Sequence, residues 1–457
     1  MRLNSKSKIS TRVIQPIKKL LPSFEAVLPD AVLYPVSNYQ LNLTYGVSQD
    51  VNSGKYADGG YLTNSSTFNK APTATLQASP QSPQAKLHVM MLGLRGFPNV
   101  QGGVEVHAEH LCPLLVSLGC DVEVLVRSPY QHKEVGQSWQ GVKFNRIWAP
   151  KSKGLEAIIH TFLGVLYAAV KRPDILHIHA IGPAVMTPLA RLLGLRVVVT
   201  HHGPDYNRQK WGWLARNILQ LGETLGMRFS NGRIAISNVI RELVMRKHVV
   251  HAELIHNGVI LPENASEERG DEVLEKFGLK KGRYVLLVSR LVPEKRHLDL
   301  MQAFAQAKIP DCKLAIVGAS DHPDAYVKQL LSVAENSPDI VMTGYQTGHA
   351  LHVLYANAGL YVLPSSHEGL SISLLEALSY GLPVLASDIP ANLELGLPEQ
   401  QYFALGDLDE LQQKIASNMT QPLNEKAKQN LREWVSCRYD WRDIARQTLK
   451  EYRSVLH

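Results

Sequence analysis

The sequence predicts an α/β protein made of two successive doubly wound domains, each with a parallel sheet. Three observations predict it. Strand-length apolar runs alternate with stretches whose apolar residues recur at helical spacing. The strands are almost continuously apolar, as strands are when helices cover both faces of a sheet. The alternation stops at one polar stretch and then starts again. At 457 residues the chain is too long for one compact domain and long enough for two with an appendage.

Residues 1–85 form an N-terminal extension of different texture. Met1 to Gln84 are rich in Ser, Asn, Gln, Thr and Pro, and close on Ala78-Ser79-Pro80-Gln81-Ser82-Pro83. Such a stretch buries too little apolar surface to offset its ordering entropy, so it is expected to be largely disordered. Within it Ile14, Ile17, Leu21, Phe24 and Leu28 fall at helical spacing beside Lys18 and Lys19, the pattern of a membrane-surface helix. Pro16 and Pro22 interrupt that helix, which favours disorder.

The first domain is expected over 86–262. Leu87–Leu94 reads as its opening strand, Val104, Ala108, Leu111, Leu115 and Leu118 as a helix face, and Asp121–Val126 as the next strand. Further strands are expected at Ile175–Ile178, Leu195–Val199, Arg233–Ile236 and Leu254–Ile255. The polar run Pro262–Gly270 reads as the hinge. The second domain, 263–435, restarts with strand Tyr284–Ser289, a helix near His297–Lys308, strand Lys313–Val317, helix Tyr326–Glu335 and strand Ile340–Met342. It continues with helix Ala350–Ala356, strand Leu360–Leu363, helix Ser371–Ser379 and strand Pro383–Ala386. Residues 436–457 read as a terminal helix.

Composition narrows the class. With 45% hydrophobic and 19% charged residues the chain suits globular cores. Its net charge of +7 favours anionic partners without choosing among them, and no nucleic-acid motif accompanies it. Cys112, Cys120, Cys312 and Cys437 lack metal spacing and read as buried reduced thiols. The basic start leads into no apolar signal core. The longest apolar run, Ala157–Val170, contains His160 and Thr161 and falls short of the ~20 residues a membrane span needs; it reads as a buried helix.

Ligands of doubly wound sheets bind beyond the carboxyl ends of the strands, so the loops there carry the chemistry. Gly93–Gly103 joins the first strand to the first helix, where glycines admit a ligand to the backbone and a helix start favours an anion. Thr200-His201-His202-Gly203-Pro204-Asp205-Tyr206 follows a strand, and alternation lets at most one of the two histidines face the cleft. His177 and His179 share a strand face, without a visible third metal ligand. Arg290-Leu291-Val292-Pro293-Glu294-Lys295 places two cations after a strand, a fork and a point charge suited to a diphosphate. Pro364 to Ala377 is the sharpest signal. Glu368 lies in the loop, Glu376 in the apolar helix beyond, and free amides at the helix start between them, near Gly369, Leu370 and Ser371. A carboxylate in so apolar a helix needs a partner. Asp407-Leu408-Asp409-Glu410 reads as a helix cap rather than a metal-binding D-x-D.

Taken together, these pieces resemble glycosyltransferase family 4, the GT-B enzymes with an E-x7-E motif, from about Leu87 to Tyr452. The resemblance rests on Gly102-Gly103, Ile234-Ala235-Ile236-Ser237, His256-Asn257-Gly258-Val259, Arg290 with Lys295, Glu368 to Glu376, and Gly381 to Asp388. Arg95-Gly96-Phe97-Pro98 with His202 to Tyr206 looks like members from bacterial capsular and exopolysaccharide synthesis.

The resemblance implies two Rossmann-like domains facing across a cleft, an acceptor domain followed by a nucleotide-sugar domain. It implies retaining sugar transfer from a nucleotide-diphosphate sugar to a saccharide or lipid-linked acceptor, with no cofactor and no metal. Arg290 and Lys295 would clamp the diphosphate, Glu376 the ribose and Glu368 the sugar hydroxyls. Gly102 and Gly103 would face the phosphate, and Gly369, Leu370 and Ser371 would line the donor site. His202 would be the cleft histidine near the reacting centre. Tyr439 and Trp441 look like the start of the terminal helix that crosses back to the first domain. Arg296 stands where the family usually has glycine. The implied setting is cytoplasmic, peripheral at the inner face of the membrane. An epimerase of the same fold, or a protein that only binds sugar nucleotides, are the alternative readings.

Overall fold

The computed structural model describes residues 86–457 except 132, 151–154, 209–211, 263–269 and 321–323. The expectations for the N-terminal extension and for most of the hinge run fall outside the described residues.

The first sheet holds β1 (His88–Leu92), β2 (Asp121–Arg127), β3 (Ser138–Trp139), β4 (Val142–Ile147), β5 (Ile175–His179), β6 (Val197–His201), β7 (Gly232–Ala235) and β8 (Glu253–Leu254). Its order is β3-β4-β2-β1-β5-β6-β7-β8, parallel throughout except for β3 against β4. The second holds β9 (Tyr284–Val288), β10 (Lys313–Val317), β11 (Ile340–Gly344), β12 (Leu360–Leu363), β13 (Val384–Ser387) and β14 (Tyr402–Phe403). It is parallel, in the order β11-β10-β9-β12-β13-β14. This is the two-domain GT-B architecture. The strand order reverses at β1/β5 in one sheet and at β9/β12 in the other, and crevices open where such reversals occur.

The helices of the first domain are α1 (Gly103–Ser117), α2 (Leu155–Lys171), α3 (Thr187–Leu192), α4 (Trp213–Phe229) and α5 (Asn238–His248). Those of the second are α6 (Gly270–Lys276), α7 (His297–Ala307), α8 (Ala325–Glu335), α9 (Gly348–Ala356), α10 (Ile372–Ser379), α11 (Pro390–Leu393) and α12 (Leu408–Thr420). Two more, α13 (Glu425–Tyr439) and α14 (Trp441–Leu456), end the chain.

Several expectations need correction. β3, β4 and β14 were not anticipated, because β4 (VKFNRI) alternates as a strand with one wet face does, and β3 and β14 are two residues long. The helix expected from 436 breaks at Asp440. Tyr439 closes α13, and the Asp440 carboxylate accepts the Arg442 amide at 2.7 Å to start α14. Cys437 is exposed, unlike Cys112, Cys120 and Cys312. The apolar run read as a buried helix is α2, buried only on its inner face (His160, Thr161, Val165, Ala168); Phe162, Leu166 and Val170 are exposed. Asp407 does cap α12 by accepting the Glu410 amide, but the Glu410 carboxylate reaches back to the Ala404 amide rather than to Asp407.

α14 returns to the first domain. Its period-3.6 apolar face, Trp441, Ile444, Ala445, Leu449 and Tyr452, shares a core with Ala108, Leu111, Cys112 and Leu115 of α1. Trp441 stacks on His110, with ring centroids 5.5 Å apart, and closes over Gly258; a Cβ there would come within 2.5 Å of the indole. Hence Trp441→Ala is expected to lower stability by about 3–5 kcal/mol, read as a fall in the urea midpoint. An unchanged midpoint would show that the α14 seam is not a fastening.

Candidate active site

Four loops meet where the two sheets turn their carboxyl ends toward each other. From the first domain come the Gly93–Gly103 loop and the His201–Arg208 loop. From the second come the loops after β9 and after β12. The approach is close: a Cβ on Gly369 would lie 2.2 Å from the His202 carbonyl oxygen, so only glycine fits. Asn257 donates to the Leu370 carbonyl at 2.9 Å, and the Gln101 carboxamide oxygen accepts the Ala319 amide at 3.3 Å.

Arg290 follows β9 and is recessed in this cleft. Among the described residues no hydrogen-bond or ion-pair partner of its guanidinium is found. Burial, then the like charges of Arg208 and Arg95, push its pKa down, while Glu105 and Asp205 act the other way. Those neighbours are committed elsewhere: Arg95 to Glu105 at 3.1 Å, and Arg208 to Asp205 at 2.7 Å. Lys295, by contrast, donates to Glu368 at 2.5 Å. The two residues read separately from the sequence are thus partners in this structure. Arg296 occupies the left-handed region at φ 51°, which explains the family's glycine there; its guanidinium bonds Asp299 at 2.7 Å.

Ser371 caps α10, its hydroxyl accepting the Leu374 amide at 3.4 Å. Glu376, one turn on, accepts the Tyr355 hydroxyl at 2.9 Å in the wall of a cavity of about 290 Å³ shared with Leu351, His352, Tyr380 and Trp441. Burial pushes its pKa up to about 7; the Tyr355 bond opposes this, and the charge of Glu109 adds to it. Of the paired glycines, Gly102 has a local reason: a Cβ would strike Glu105 at 2.0 Å. Gly103 faces open space at the start of α1.

His202 faces the cleft side, while His201 is fully buried against Glu223 at 3.2 Å. His177 turns away to Tyr452 and Thr200, both at 2.7 Å. His179 gains neighbours that its own strand does not show: His202, whose Nε2 lies 3.1 Å from His179 Nδ1, and His107 of α1. The ring nitrogens of His107, His179 and His202 lie within 4.8 Å of one another, a spacing a metal ion would accept. The pair read from the sequence, His177 with His179, is not part of this group; His179 joins two histidines from other elements instead. Each ring also has protein partners. His107 Nδ1 bonds Asn257 at 2.9 Å, and His179 Nε2 lies 3.5 Å from the Met91 sulfur. Burial holds all three rings neutral, His107 with a pKa lowered to about 4. Neutral imidazoles can exchange hydrogen bonds with a hydroxyl in the cleft.

Sequence reasoning missed His107, Glu105 and Tyr355, and gave Asn257 only as part of a motif, without its contacts to His107 and Leu370. The spacing of His107, His110 and Trp441 carries no local signal, because what joins them is the return of α14.

Residues 271–434 match the family model of group 1 glycosyl transferases, and residues 101–261 that of glycosyltransferase family 4. The chain belongs to the family 4 type of glycosyltransferase. The sulfoquinovosyl transferase SQD2 of Arabidopsis thaliana is 28% identical over 62% of this chain and 57% of its own length. The UDP-Gal:alpha-D-GlcNAc-diphosphoundecaprenol alpha-1,3-galactosyltransferase of Escherichia coli is 28% identical over 50% of this chain and 61% of its own. The chain therefore spans less than two thirds of the length of these curated relatives. Anabaena HepE, solved in complex with UDP, shares the fold at TM-score 0.63 and 18% identity, over 80% of this chain and 100% of its own.

The Glu376 carboxyl gives a pH-dependent expectation. Its native pKa is raised from 4.5 to about 7, so the native state keeps a proton that the unfolded chain has lost. The Glu376 contribution to stability falls as pH rises from ~4.5 to ~7 and then levels off, while the buried histidines act in the opposite sense, so the variant is compared with wild type at each pH. Glu376→Gln is expected to melt higher than wild type above pH ~7 and alike near pH ~4. Melting curves that shift equally at both pH values would remove Glu376 as the cause.

Proposed function

We propose that this chain transfers a sugar from a nucleoside-diphosphate sugar to a saccharide or lipid-linked saccharide, with retention and without a divalent ion, in bacterial surface-polysaccharide synthesis. The observation that carries the reading is Arg290: a recessed guanidinium without a bonded acid among the described residues, in the loop after β9 that also carries Lys295, with Arg208 and Arg95 as like-charged neighbours. An anion bound there relieves the mutual repulsion of Arg290, Arg208 and Arg95. A diphosphate supplies that anion and grows more negative as it leaves, so the same cations stabilise the transition state more than the ground state.

In the proposed reaction the bond from the anomeric carbon to the diphosphate oxygen breaks, and the acceptor oxygen bonds to that carbon on the same face. The acceptor's proton passes to the departing diphosphate. Arg290 and Lys295 hold the diphosphate. Glu368, released from Lys295 as the donor arrives, takes the sugar hydroxyls. Glu376 accepts from the ribose in the cavity it lines with Tyr355. Gly102, Gly103, Gly369, Leu370 and Ser371 let backbone approach the donor. His202 lies beside the reacting centre as a neutral hydrogen-bonding group. Such residue roles are the family pattern applied to these positions, and the E. coli relative's diphosphoundecaprenol acceptor supports the lipid-linked reading.

Arg290→Ala and Lys295→Ala are each expected to lower kcat/KM by about thirtyfold to several-thousandfold, the ~2–5 kcal/mol that a buried charged contact carries. Near-normal turnover in both would reject the clamp. Donor turnover is also expected to survive EDTA. A strict divalent requirement would overturn the metal-free reading and direct attention to the His107, His179 and His202 rings.

A further inference from the structure

Three imidazoles converge at the cleft side of the first domain: His107 from α1, His179 from β5 and His202 from the loop after β6. One ring nitrogen of each lies within 4.8 Å of one in each of the other two rings. The closest pair, His179 Nδ1 and His202 Nε2, is 3.1 Å apart. Around a tetrahedral ion with bonds of ~2.0–2.1 Å, ligand nitrogens stand about 3.3 Å apart, so this edge is already near the length a bound ion needs. His107 and His179 are buried, and the parallel pairing of β5 with β6 fixes His179 relative to the chain that leads to His202. His202 is only half buried, which opens the group to the cleft.

The outer partners of two rings fix where their protons sit. The Asn257 amide group donates to the Leu370 carbonyl, so its oxygen is the acceptor for His107 Nδ1–H at 2.9 Å. The Met91 thioether can only accept, so the proton of His179 sits on Nε2, 3.5 Å from that sulfur. Each ring is thus left with a lone pair on its other nitrogen. Such outer acceptors are what orient the histidines of metal sites. Burial, the largest cause, holds all three rings neutral, and neutral imidazole is the form that binds metal. His177, on the same strand as His179, differs: Tyr452 and Thr200 occupy both of its nitrogens at 2.7 Å. The group holds no carboxylate, and a set of nitrogens alone suits zinc, nickel or copper rather than magnesium or calcium.

We propose that His107, His179 and His202 form a binding site for a divalent transition ion of the zinc class, with the fourth position open to the cleft. In the geometry described, His202 Nε2–H donates to His179 Nδ1; binding the ion requires the Nδ1–H tautomer of His202 instead. The site itself does not depend on the donor reading. One consequence does rest on that reading: with His202 beside the reacting centre, an ion that holds its ring blocks transfer instead of assisting it.

The test is titration of the full chain, carrying no affinity tag and stripped with EDTA, first with Co²⁺ and then with Zn²⁺. A single equivalent of Co²⁺ is expected to give the intense visible absorption of a four-coordinate ion, bleached by Zn²⁺ and untouched by excess Mg²⁺. His107→Gln and His179→Gln are each expected to weaken binding by about a hundredfold or more, at least what loss of an outer partner costs a metal site. His251→Gln, at an exposed histidine beside Glu253, is expected to bind as wild type does. X-ray absorption of the zinc-loaded wild type needs no variant to fold, and is expected to show three imidazole nitrogens at ~2.0 Å. The proposal is overturned by absence of the cobalt band, by its loss to Mg²⁺, by a zinc shell made mainly of oxygen, or by wild-type affinity in both glutamine variants. None of these readouts involves donor or turnover, so they fail separately from the transfer reading. In a transfer assay zinc is expected to inhibit and EDTA to restore the rate. A rate that requires zinc would keep the site and overturn the metal-free reading, and a rate unchanged in the loaded chain would overturn the blocking consequence.

Discussion

The proposed chemistry rests on one positive charge, Arg290, that no acid among the described residues bonds. Arg290 follows β9, at the strand-order reversal of the second sheet, and the acids whose charges act on it are engaged elsewhere: Glu105 by Arg95 and Asp205 by Arg208. Desolvating a guanidinium without a bonded acid is unfavourable. That cost must be offset by the rest of the domain, and a bound anion would remove it. On the proposed reading the donor diphosphate is that anion, and its binding would stabilise the fold.

Much of the fold was legible because parallel sheets write themselves plainly. β1, β5, β9, β10 and β12 are short apolar runs buried on both faces, each followed by a loop and a helical stretch. What escaped reading lacked that signature. β4 has one wet face, β3 and β14 are too short to carry a period, and Asp440 interrupts what the apolar spacing alone presents as one terminal helix. The outer face of α2 escaped for a different reason. An apolar residue placed toward a core and one placed toward solvent look the same in a hydropathy pattern until the helix has a neighbour.

The cleft was legible to the extent that each piece was local. Arg290 with Lys295, and Glu368 with Glu376, are short-range patterns on loops that follow strands. The histidine group was not, since His107 comes from α1, His179 from β5 and His202 from the loop after β6. Parallel pairing aligns His179 with Thr200, two residues before His202, and α1 then lays His107 across both. Two glycine-like positions show the same divide. Gly102 is required by Glu105, three residues on, whereas Gly369 is required by the carbonyl of His202 in the other domain.

That last contact links the two halves. Backbone touches backbone at Gly369 and His202, Asn257 reaches across to Leu370, and the Glu394 carboxylate receives the Asn238 and Val239 amides at the start of α5. These contacts join the domains at points around the cleft, while α14 fastens the second domain's tail to α1 from outside it. Trp441, closing over Gly258 beside His110, ties the start of α14 to the first domain at the end of that fastening.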